Sequence, residues 1–585
     1  MNTSFNWKIA GAAGEGIKKA GLIFAKTCFK HGLSVHGYTE YPSLIRGGHN
    51  TFQIHASAED VFSPQFKLDI LVGIHEKATQ YHQSEITPET ITLSSDNLPL
   101  MKLVKQVKAH PKMKNMAALG ASVFLLGLSL DTLKQTLAEV FAKKGQPVVQ
   151  ANHQVAQAGY DFASQNFKTQ AKPAIPAKTK TDHHLFLTGN QALSYGAIAG
   201  GLKLYVAYPM TPATSILHTL AAKAKAANII VRHAEDEIGT VNMAIGAGFA
   251  GVRSMVGTSG GGFSLMTEGL GLSGITETPL VIVNAMRPGP ASGMPTWSSQ
   301  GDLLYAIHAS QDEFPRLVLT PGDPQECFQL AKLAQNLAEK YQLPVIILTD
   351  KYLGESYFTI NKPTAQHQNQ RYGLINTQDL NSDQPFKRYQ DTDTGVSPRP
   401  LPGQPNGVHL CNSYEHDELG YATEDSSQRI KQVNKRAKKT AHILKDPDFV
   451  NPQLYGPKTA DQTLISWGSN KGVILQALKQ LKNTNFIHFP IVWPFPTAQF
   501  QTLTKTAKKL ITLECNSTGQ LNQLIRQQTG LTIKDQLLKY DGRPFFPQEL
   551  QELVEKLSWN ALLRFNQPGV RAAVTLAFLE LLNNP

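Results

Sequence analysis

Cysteine is scarce in this chain of 585 residues. Only Cys28, Cys327, Cys411 and Cys515 are present, and no two stand close enough in sequence to form a metal-ligand pair. Their scatter speaks against structural zinc, a disulfide framework and an iron-sulfur cluster held by this chain alone. Long apolar runs are lacking too. The longest, LGASVFLLGLSL from Leu119 to Leu130, is too short to span a bilayer, and the opening MNTSFNWK has no apolar stretch of the signal-peptide kind. A cytoplasmic location and no membrane partner are the resulting expectations. No block of one charge stands out either: the net charge of +11 is spread along the chain. The densest basic run, RIKQVNKRAKK from Arg429 to Lys439, has no aromatic or glycine-rich surroundings and reads as a solvated helix face, so no nucleic-acid partner is expected.

What is there is an ordinary globular composition, 41% hydrophobic, at a length that allows three or four domains of roughly 150 residues. The first segment runs to about Gln165. It opens with an apolar run into AGAAGEG and continues as a helix carrying Ile17, Ala20, Gly21, Phe24 and Cys28 at helical spacing, which makes Cys28 a core residue. Strand-like TFQIHA and KLDILVGI follow, with a helical pair around Leu119 to Phe141. Residues 168–184 have the Lys, Ala, Pro and Thr composition of a linker.

The second segment alternates strands and helices: LFLTG, LKLYVA, IIVRHA, VRSMVG, PLVIVNAM, RLVLT and PVIILTD, most of them separated by helical stretches. Such alternation predicts a doubly wound parallel sheet whose turns gather on one rim, where ligands meet the carboxyl ends of the strands. Residues 357–404 turn polar and Pro-rich, as a surface connector. A third α/β unit follows through TLISWGS, NKGVILQALKQL, KKLITLEC and GQLNQLIRQQ.

Four loops on the rim of the second segment carry chemical potential. In AYPMTPATSI, Pro209 and Pro212 fix the backbone as it leaves a strand, and Thr211 either caps the next helix or turns its hydroxyl toward a ligand. In HAEDEIG, Glu235 and Glu237 enter a helix directly from a strand; the helix dipole favours carboxylates there, and a buried one can also bond a cofactor's ring nitrogen. In GTSGGGFSLM, glycines let backbone amides approach a ligand at a helix N-terminus. The same stretch matches the G-x-S-x-G nucleophile elbow through Gly257, Ser259 and Gly261, but no Asp and His can be placed after it to complete a hydrolase. The fourth loop, AMRPGPASGMPTWSSQGDL, sets Arg287 at its base, where a guanidinium can hold a carboxylate through two parallel hydrogen bonds.

Taken together, GNQALSYGAIAGG, YPMTPATSI, AEDEIGTVNMAIGAGFAG, TSGGGFSLMTEGLG, MRPGPASGMPT and QGDL resemble, in order and spacing, the α subunit of 2-oxoacid:ferredoxin oxidoreductases. GAAGEGIKKAG and YPSLIRGGHNTFQIH resemble the γ domain that some members fuse ahead of α. HDELGYATED, SWGSNKG, WPFPTAQF, LECNSTGQL and LKYDGRPF resemble the family's transketolase-like C-terminal domain. The implied fold is α/β throughout: a γ-like domain over 1–167, a linker over 168–184, a doubly wound thiamine-enzyme pyrimidine-binding domain over 185–356, a connector over 357–404, a transketolase C-terminal-like domain over 405–551, and a helical tail over 552–585.

The resemblance implies an oxidoreductase of anaerobic metabolism. It would use thiamine diphosphate and coenzyme A to decarboxylate a 2-oxoacid, 2-oxoglutarate before pyruvate, and pass electrons to ferredoxin. It assigns Glu237, with Glu235 as the alternative, to the aminopyrimidine ring. Thr211 stands beside substrate and thiazolium, and Arg287 holds the oxoacid carboxylate. Tyr208, Pro209, Ser259 and Gly260 line the cofactor. Gly14, Gly16, Arg46, Gly47 and Gly48 are the candidate coenzyme A contacts. No Gly-Asp-Gly segment occurs, since Gly301-Asp302 runs into Leu303 and Gly322-Asp323 into Pro324. The resemblance therefore places the diphosphate, its magnesium and a 4Fe-4S cluster on a β subunit, in an αβ heterodimer or its dimer, with no metal held by this chain. Gly261, Met210 and Ser299 depart from the family's usual Pro, Ile and Glu. Two other readings are a thiamine-dependent decarboxylase or dehydrogenase component without ferredoxin coupling, and a non-catalytic assembly partner.

Overall fold

The computed structural model describes residues 4–43, 48–172, 175, 181–363, 371–380 and 384–559. The first sheet is mixed and has seven strands, in the order Ile91–Leu93, Ile70–Gly73, Ser4–Ala12, His49–Ser57, Ser34–Glu40, Tyr357–Asn361 and His184–Thr188. The helix Ile17–Lys30 buries Ile17, Ala20, Gly21, Phe24 and Cys28 against it, as their spacing predicts. Gly21 is required there because a Cβ would overlap the Phe52 ring. The helical pair is Lys114–Leu125 and Leu130–Phe141, and a third helix, Gln146–Asn166, follows it. The first and third of these approach backbone to backbone, because a side chain on Gly120 would strike the Ala156 carbonyl and one on Gly159 the Ala117 carbonyl.

The two outer strands of this sheet correct the reading of the segment limits. LFLTG pairs with Tyr357–Asn361 from Tyr357↔Thr188 to Asn361↔His184, and Tyr357 and Phe358 in turn pair with Gly37 and His36. The second segment thus gives its first strand, and the connector its opening residues, to the first sheet.

The second sheet runs Ile491–Trp493, Leu317–Leu319, Pro344–Asp350, Leu280–Met286, Ser254–Thr258, Leu204–Ala207, Ile230–His233. It is parallel except for its first strand, which the third segment contributes antiparallel to Leu317–Leu319. The central strands are buried on both faces, which is why they read as continuous apolar runs. Gly189–Ala199 and Pro324–Tyr341 cover one face. Glu237–Phe249 and Gly260–Ile275 cover the other, in a core that continues without a break into Trp467, Phe489, Phe500 and Leu521 of the third segment. The third sheet orders Gln453–Tyr455, Thr484–Phe489, Gln462–Trp467, Leu510–Glu514 and Asp535–Leu538.

The basic run Arg429–Lys439 is not a solvated face. It lies in the helix Ser426–Ile443, where Gln432, Lys435, Arg436 and Lys439 are buried. Lys435 Nζ and Lys439 Nζ lie 2.5 and 2.6 Å from the Glu277 carboxylate, which is itself fully buried. The two ammonium groups hold that carboxyl well below the usual range against the upward pull of burial. The connector is likewise anchored rather than superficial, with Arg388, Tyr389, Ser397 and Arg399 buried. Helical tail residues beyond Trp559 lie outside the described residues. No helix among the described residues is long and apolar enough to cross a membrane.

Candidate active site

The carboxyl ends of the second sheet's strands bring all four loops to one place. Tyr208 to Pro212 leave the strand Leu204–Ala207 with Tyr208 and Pro209 exposed, and the Thr211–Pro212 peptide is cis. The next helix begins only at Thr214, and its N-cap, Ala213, offers no side-chain cap. Thr211 is therefore not the cap. Asn190 fixes the turn from below, donating to the Pro212 carbonyl at 3.0 Å and to Ser215 Oγ at 2.8 Å. Arg287 fixes it from the side, donating from Nη1 to the Thr211 carbonyl at 2.7 Å.

The two glutamates of HAEDEIG separate cleanly. Asp236 is the N-cap of the helix Glu237–Phe249 and accepts from the Gly239 amide at 2.7 Å, so the helix start is satisfied without either of them. Glu235 is exposed. Glu237 is only 4% exposed, and its buried Oε1 has no hydrogen-bond partner among the described residues. An unmet carboxylate oxygen in the interior is costly unless a further group meets it. Room for it is made by Gly262, where a Cβ would overlap both Thr258 Oγ1 and Glu237 Oε1. Thr258 faces the opening turn as well, with its hydroxyl 3.9 Å from Met210 Sδ.

Ser259 is fully buried at the start of the helix Gly260–Ile275, and its Oγ has no hydrogen-bond partner among the described residues. Among the described residues no histidine or carboxylate bonds to it, which speaks against the hydrolase reading of the elbow. Gly260 lies against Asp302, whose Oδ2 would be 2.6 Å from a Cβ there. Asn284 Nδ2 donates to that same oxygen at 3.0 Å, while burial pushes the Asp302 carboxyl up.

The Arg287 loop is held by the third segment. Gln300 is fully buried and acts as its pin. Its Nε2 donates to the Trp467 carbonyl at 2.8 Å, and its Oε1 accepts from Asn470 Nδ2 at 2.8 Å and the Cys515 amide at 2.9 Å. Its backbone adds a 2.8 Å bond to the Cys515 carbonyl and accepts one of 3.1 Å from Asn516. Ser298 N donates to the Gly542 carbonyl at 2.9 Å, and the Arg543 guanidinium lies 3.8 Å from the centre of the Trp297 ring.

In the first sheet, Gly14 and Gly16 take positive φ at the strand-to-helix turn. Gly48 joins them there, since its carbonyl accepts from the Ala13 amide at 3.0 Å. Arg46 and Gly47 lie outside the described residues. Beside this turn His49 Nε2 is 2.8 Å from His82 Nε2, and His82 Nδ1 is 2.6 Å from Glu85. Among the described residues no group of three or more His, Cys, Asp or Glu is arranged to hold a metal ion.

Sequence reasoning gave no role to Gly262, Asn190, Gln300 or Asp302. The third glycine in TSGGGF was the available signal for Gly262; the reach of Gln300 into another segment left no local trace.

Two family models match the chain: pyruvate flavodoxin/ferredoxin oxidoreductase, thiamine diP-binding, over residues 195–435, and pyruvate ferredoxin/flavodoxin oxidoreductase over residues 6–162. The 2-oxoacid:ferredoxin oxidoreductase subunit alpha of a Sulfolobus species is 31% identical, across 94% of this chain and 96% of its own. The 2-oxoglutarate oxidoreductase subunit KorA of Mycobacterium tuberculosis is 28% identical, across 94% and 90%. Among solved structures, 2-oxoglutarate:ferredoxin oxidoreductase from Magnetococcus marinus, with 2-oxoglutarate, coenzyme A and succinyl-CoA bound, is 31% identical. It covers 95% of this chain and 100% of its own, with a TM-score of 0.88.

Proposed function

We propose, from the premise that this chain belongs to the 2-oxoacid:ferredoxin oxidoreductase family as an alpha subunit with a fused gamma-like domain, that its rim loops are one half of a thiamine diphosphate site. The enzyme decarboxylates a 2-oxoacid with thiamine diphosphate and coenzyme A and transfers electrons to ferredoxin, working with a partner subunit. The favoured substrate is 2-oxoglutarate, a reading supported by the Magnetococcus relative, which holds that acid, and by the Mycobacterium relative named for it.

The observation that carries the site is Glu237: a buried carboxylate with one unmet oxygen, in a space that Gly262 keeps open. A cofactor ring nitrogen would meet that oxygen, and Ser259 Oγ is a second unmet polar atom on the next loop. When bound, thiamine diphosphate supplies the nucleophilic carbon and the electron sink. Glu237 would hold the ring nitrogen's proton and so set the cofactor's protonation state. The Thr211 hydroxyl would face the reacting carbon, with Tyr208, Pro209 and Gly260 shaping the wall around it. Arg287 would fix the oxoacid by its carboxylate, with its own position set by the Thr211 carbonyl.

The other half, with the diphosphate, its magnesium and a 4Fe-4S cluster, belongs on the β subunit. The surface around Glu237 suits burial by a partner: Tyr208, Ile238, Met243, Leu265 and Met294 are large apolar side chains left exposed there. Coenzyme A would meet the turn of Gly14, Gly16 and Gly48, and Arg46 and Gly47 stay candidate contacts by sequence.

The test is the purified complex with its β subunit, assayed without oxygen for coenzyme A-dependent viologen reduction. Turnover with 2-oxoglutarate well above that with pyruvate supports the reading, and the reverse preference overturns the substrate assignment. Turnover that leaves viologen oxidised would overturn the electron-transfer assignment. Loss of activity in Glu237→Gln with assembly intact supports the site; full activity in that variant overturns it.

A further inference from the structure

Arg543, in the turn that follows the last strand of the third sheet, has no part in the thiamine site described above. Asp541 closes that turn: its Oδ1 accepts from the Arg543 amide at 2.8 Å, and its carbonyl accepts from Arg543 Nη1 at 2.8 Å. Gly542, between them, has φ +87° and lies so close to the oxoacid loop that a Cβ would come within 3.1 Å of Trp297 Cβ. The Gly542 carbonyl accepts from the Ser298 amide at 2.9 Å. The turn is therefore seated on the loop that has Arg287 at its base. The half-buried Arg543 guanidinium lies over the Trp297 ring, 3.8 Å from its centre. Stacking engages the face of the group and the Asp541 carbonyl engages Nη1. Nε and Nη2, the edge that grips paired oxygens, bond to no described residue, and no carboxylate among the described residues pairs with the charge. On its other side the charge acts on the first sheet, where it pulls the Tyr38 phenol down against burial and against Glu40. Tyr38 lies near the end of Ser34–Glu40, the end of the sheet that also carries the Gly14–Gly16 turn, because Ser4–Ala12 and Ser34–Glu40 both run antiparallel to His49–Ser57.

We propose, resting on the functional reading above, that Arg543 is a second anion-holding guanidinium at the rim. Through Nε and Nη2 it grips a paired-oxygen anion carried by a substrate, either the far carboxylate of a dicarboxylic oxoacid or a phosphate of coenzyme A. The group is held for this in advance: the Asp541 turn fixes its stem, the Trp297 ring fixes its plane, and little freedom is left to lose on binding. Partial burial also strengthens its pull on an anion, since less water competes for the charge. Arg287 takes the carboxylate beside the oxo group, so Arg543 adds selectivity for a further negative charge.

The test uses the purified complex with its β subunit and two substrate pairs, 2-oxoglutarate against 2-oxobutyrate and coenzyme A against pantetheine, in each of which only the first carries the anion. Arg543→Met keeps an apolar stem over Trp297 and removes the charge. One of the two ratios of kcat/KM within a pair should fall about 10- to 100-fold, the loss expected for a charge-assisted bond, and the ratio that falls names the source of the anion. Arg543→Lys keeps the charge without the fork and should recover part of the loss. A residue that merely supported the loop would lower all four values together and leave both ratios in place; that result, or no change at all, overturns the proposal. If Arg543→Met fails to assemble, Arg543→Lys decides alone, and unaltered ratios there overturn the proposal equally. Turnover by the parent complex tests the functional reading and the ratios test Arg543, so the two fail separately; a parent inert toward 2-oxoacids takes both down.

Discussion

Arg287 Nη1 donates a 2.7 Å hydrogen bond to the main-chain carbonyl of Thr211. The bond joins two loops that lie 76 residues apart and makes the position of one depend on the other. It also uses only one corner of the guanidinium fork, leaving the other donors for a carboxylate that approaches from the rim.

Replacing Arg287 by Ala should therefore do more than remove a charge. We expect the KM for the oxoacid to rise sharply and kcat/KM to fall about 100-fold, since a charge-assisted hydrogen bond is worth roughly 1.5–3 kcal/mol. Arg287→Lys keeps the charge but not the fork and should recover only part of the loss. Steady-state kinetics on the purified complex decide this; an unchanged KM in Arg287→Ala would remove the arginine from the substrate site.

Glu237 and Glu235 stand two residues apart, one buried and one exposed. Glu237→Gln should lower kcat by about 10²–10⁴-fold, the range of a positioned proton-transfer group, while Glu235→Gln stays near the parent. A complex that still assembles, by gel filtration, excludes misfolding as the cause. Equal effects of the two changes would defeat the assignment.

The central strands of the second sheet were legible because burial on both faces makes them unbroken apolar runs, as in PLVIVNAM and PVIILTD. Which sheet a strand joins was not legible. LFLTG reads like its successors, yet its partner Tyr357–Asn361 lies far away in sequence, and nothing local encodes that pairing. The burial of Lys435 and Lys439 was hidden for the same reason, because it depends on Glu277, 158 residues from Lys435. At the site, residue types on the rim pointed to Glu237 and Arg287 directly. Gln300 and Asn190 act by holding loops in place, and such roles appear only once the loops have positions.

The first sheet should be acid-labile. Burial pushes His36 down to about 3, and His49 and His55 to about 4, the last against a 2.8 Å contact between its Nδ1 and the Ser63 carbonyl. The unfolded chain takes up these protons near pH 6.5, before the folded one does. The stability these rings contribute is thus full above about pH 6.5 and is lost as the pH falls toward 4. For the buried His55 alone the difference is about 3 kcal/mol. Hydrogen exchange at pH 7 and pH 5 should show loss of protection in 4–57 before the second sheet, and His55→Gln should flatten that dependence. Uniform loss across all three sheets would contradict it.

Gln300 links the oxoacid loop to the third segment, and its removal should show in substrate binding. Gln300→Leu keeps the side-chain volume but strips the bonds to Trp467, Asn470 and Cys515, leaving the Trp467 carbonyl and the Cys515 amide unmet inside the protein. Each unmet group costs about 1–3 kcal/mol, and because they share one side chain the costs will not simply add. Much of that strain can be relieved by letting the loop lift away, which would carry Arg287 off its bond to Thr211. We therefore expect KM to rise more than kcat falls, together with faster hydrogen exchange over 287–303. Gln300→Glu preserves the acceptor and should restore part of the effect. A loss of kcat alone, with the loop's exchange unchanged, would mean that Gln300 supports the fold without positioning the substrate loop.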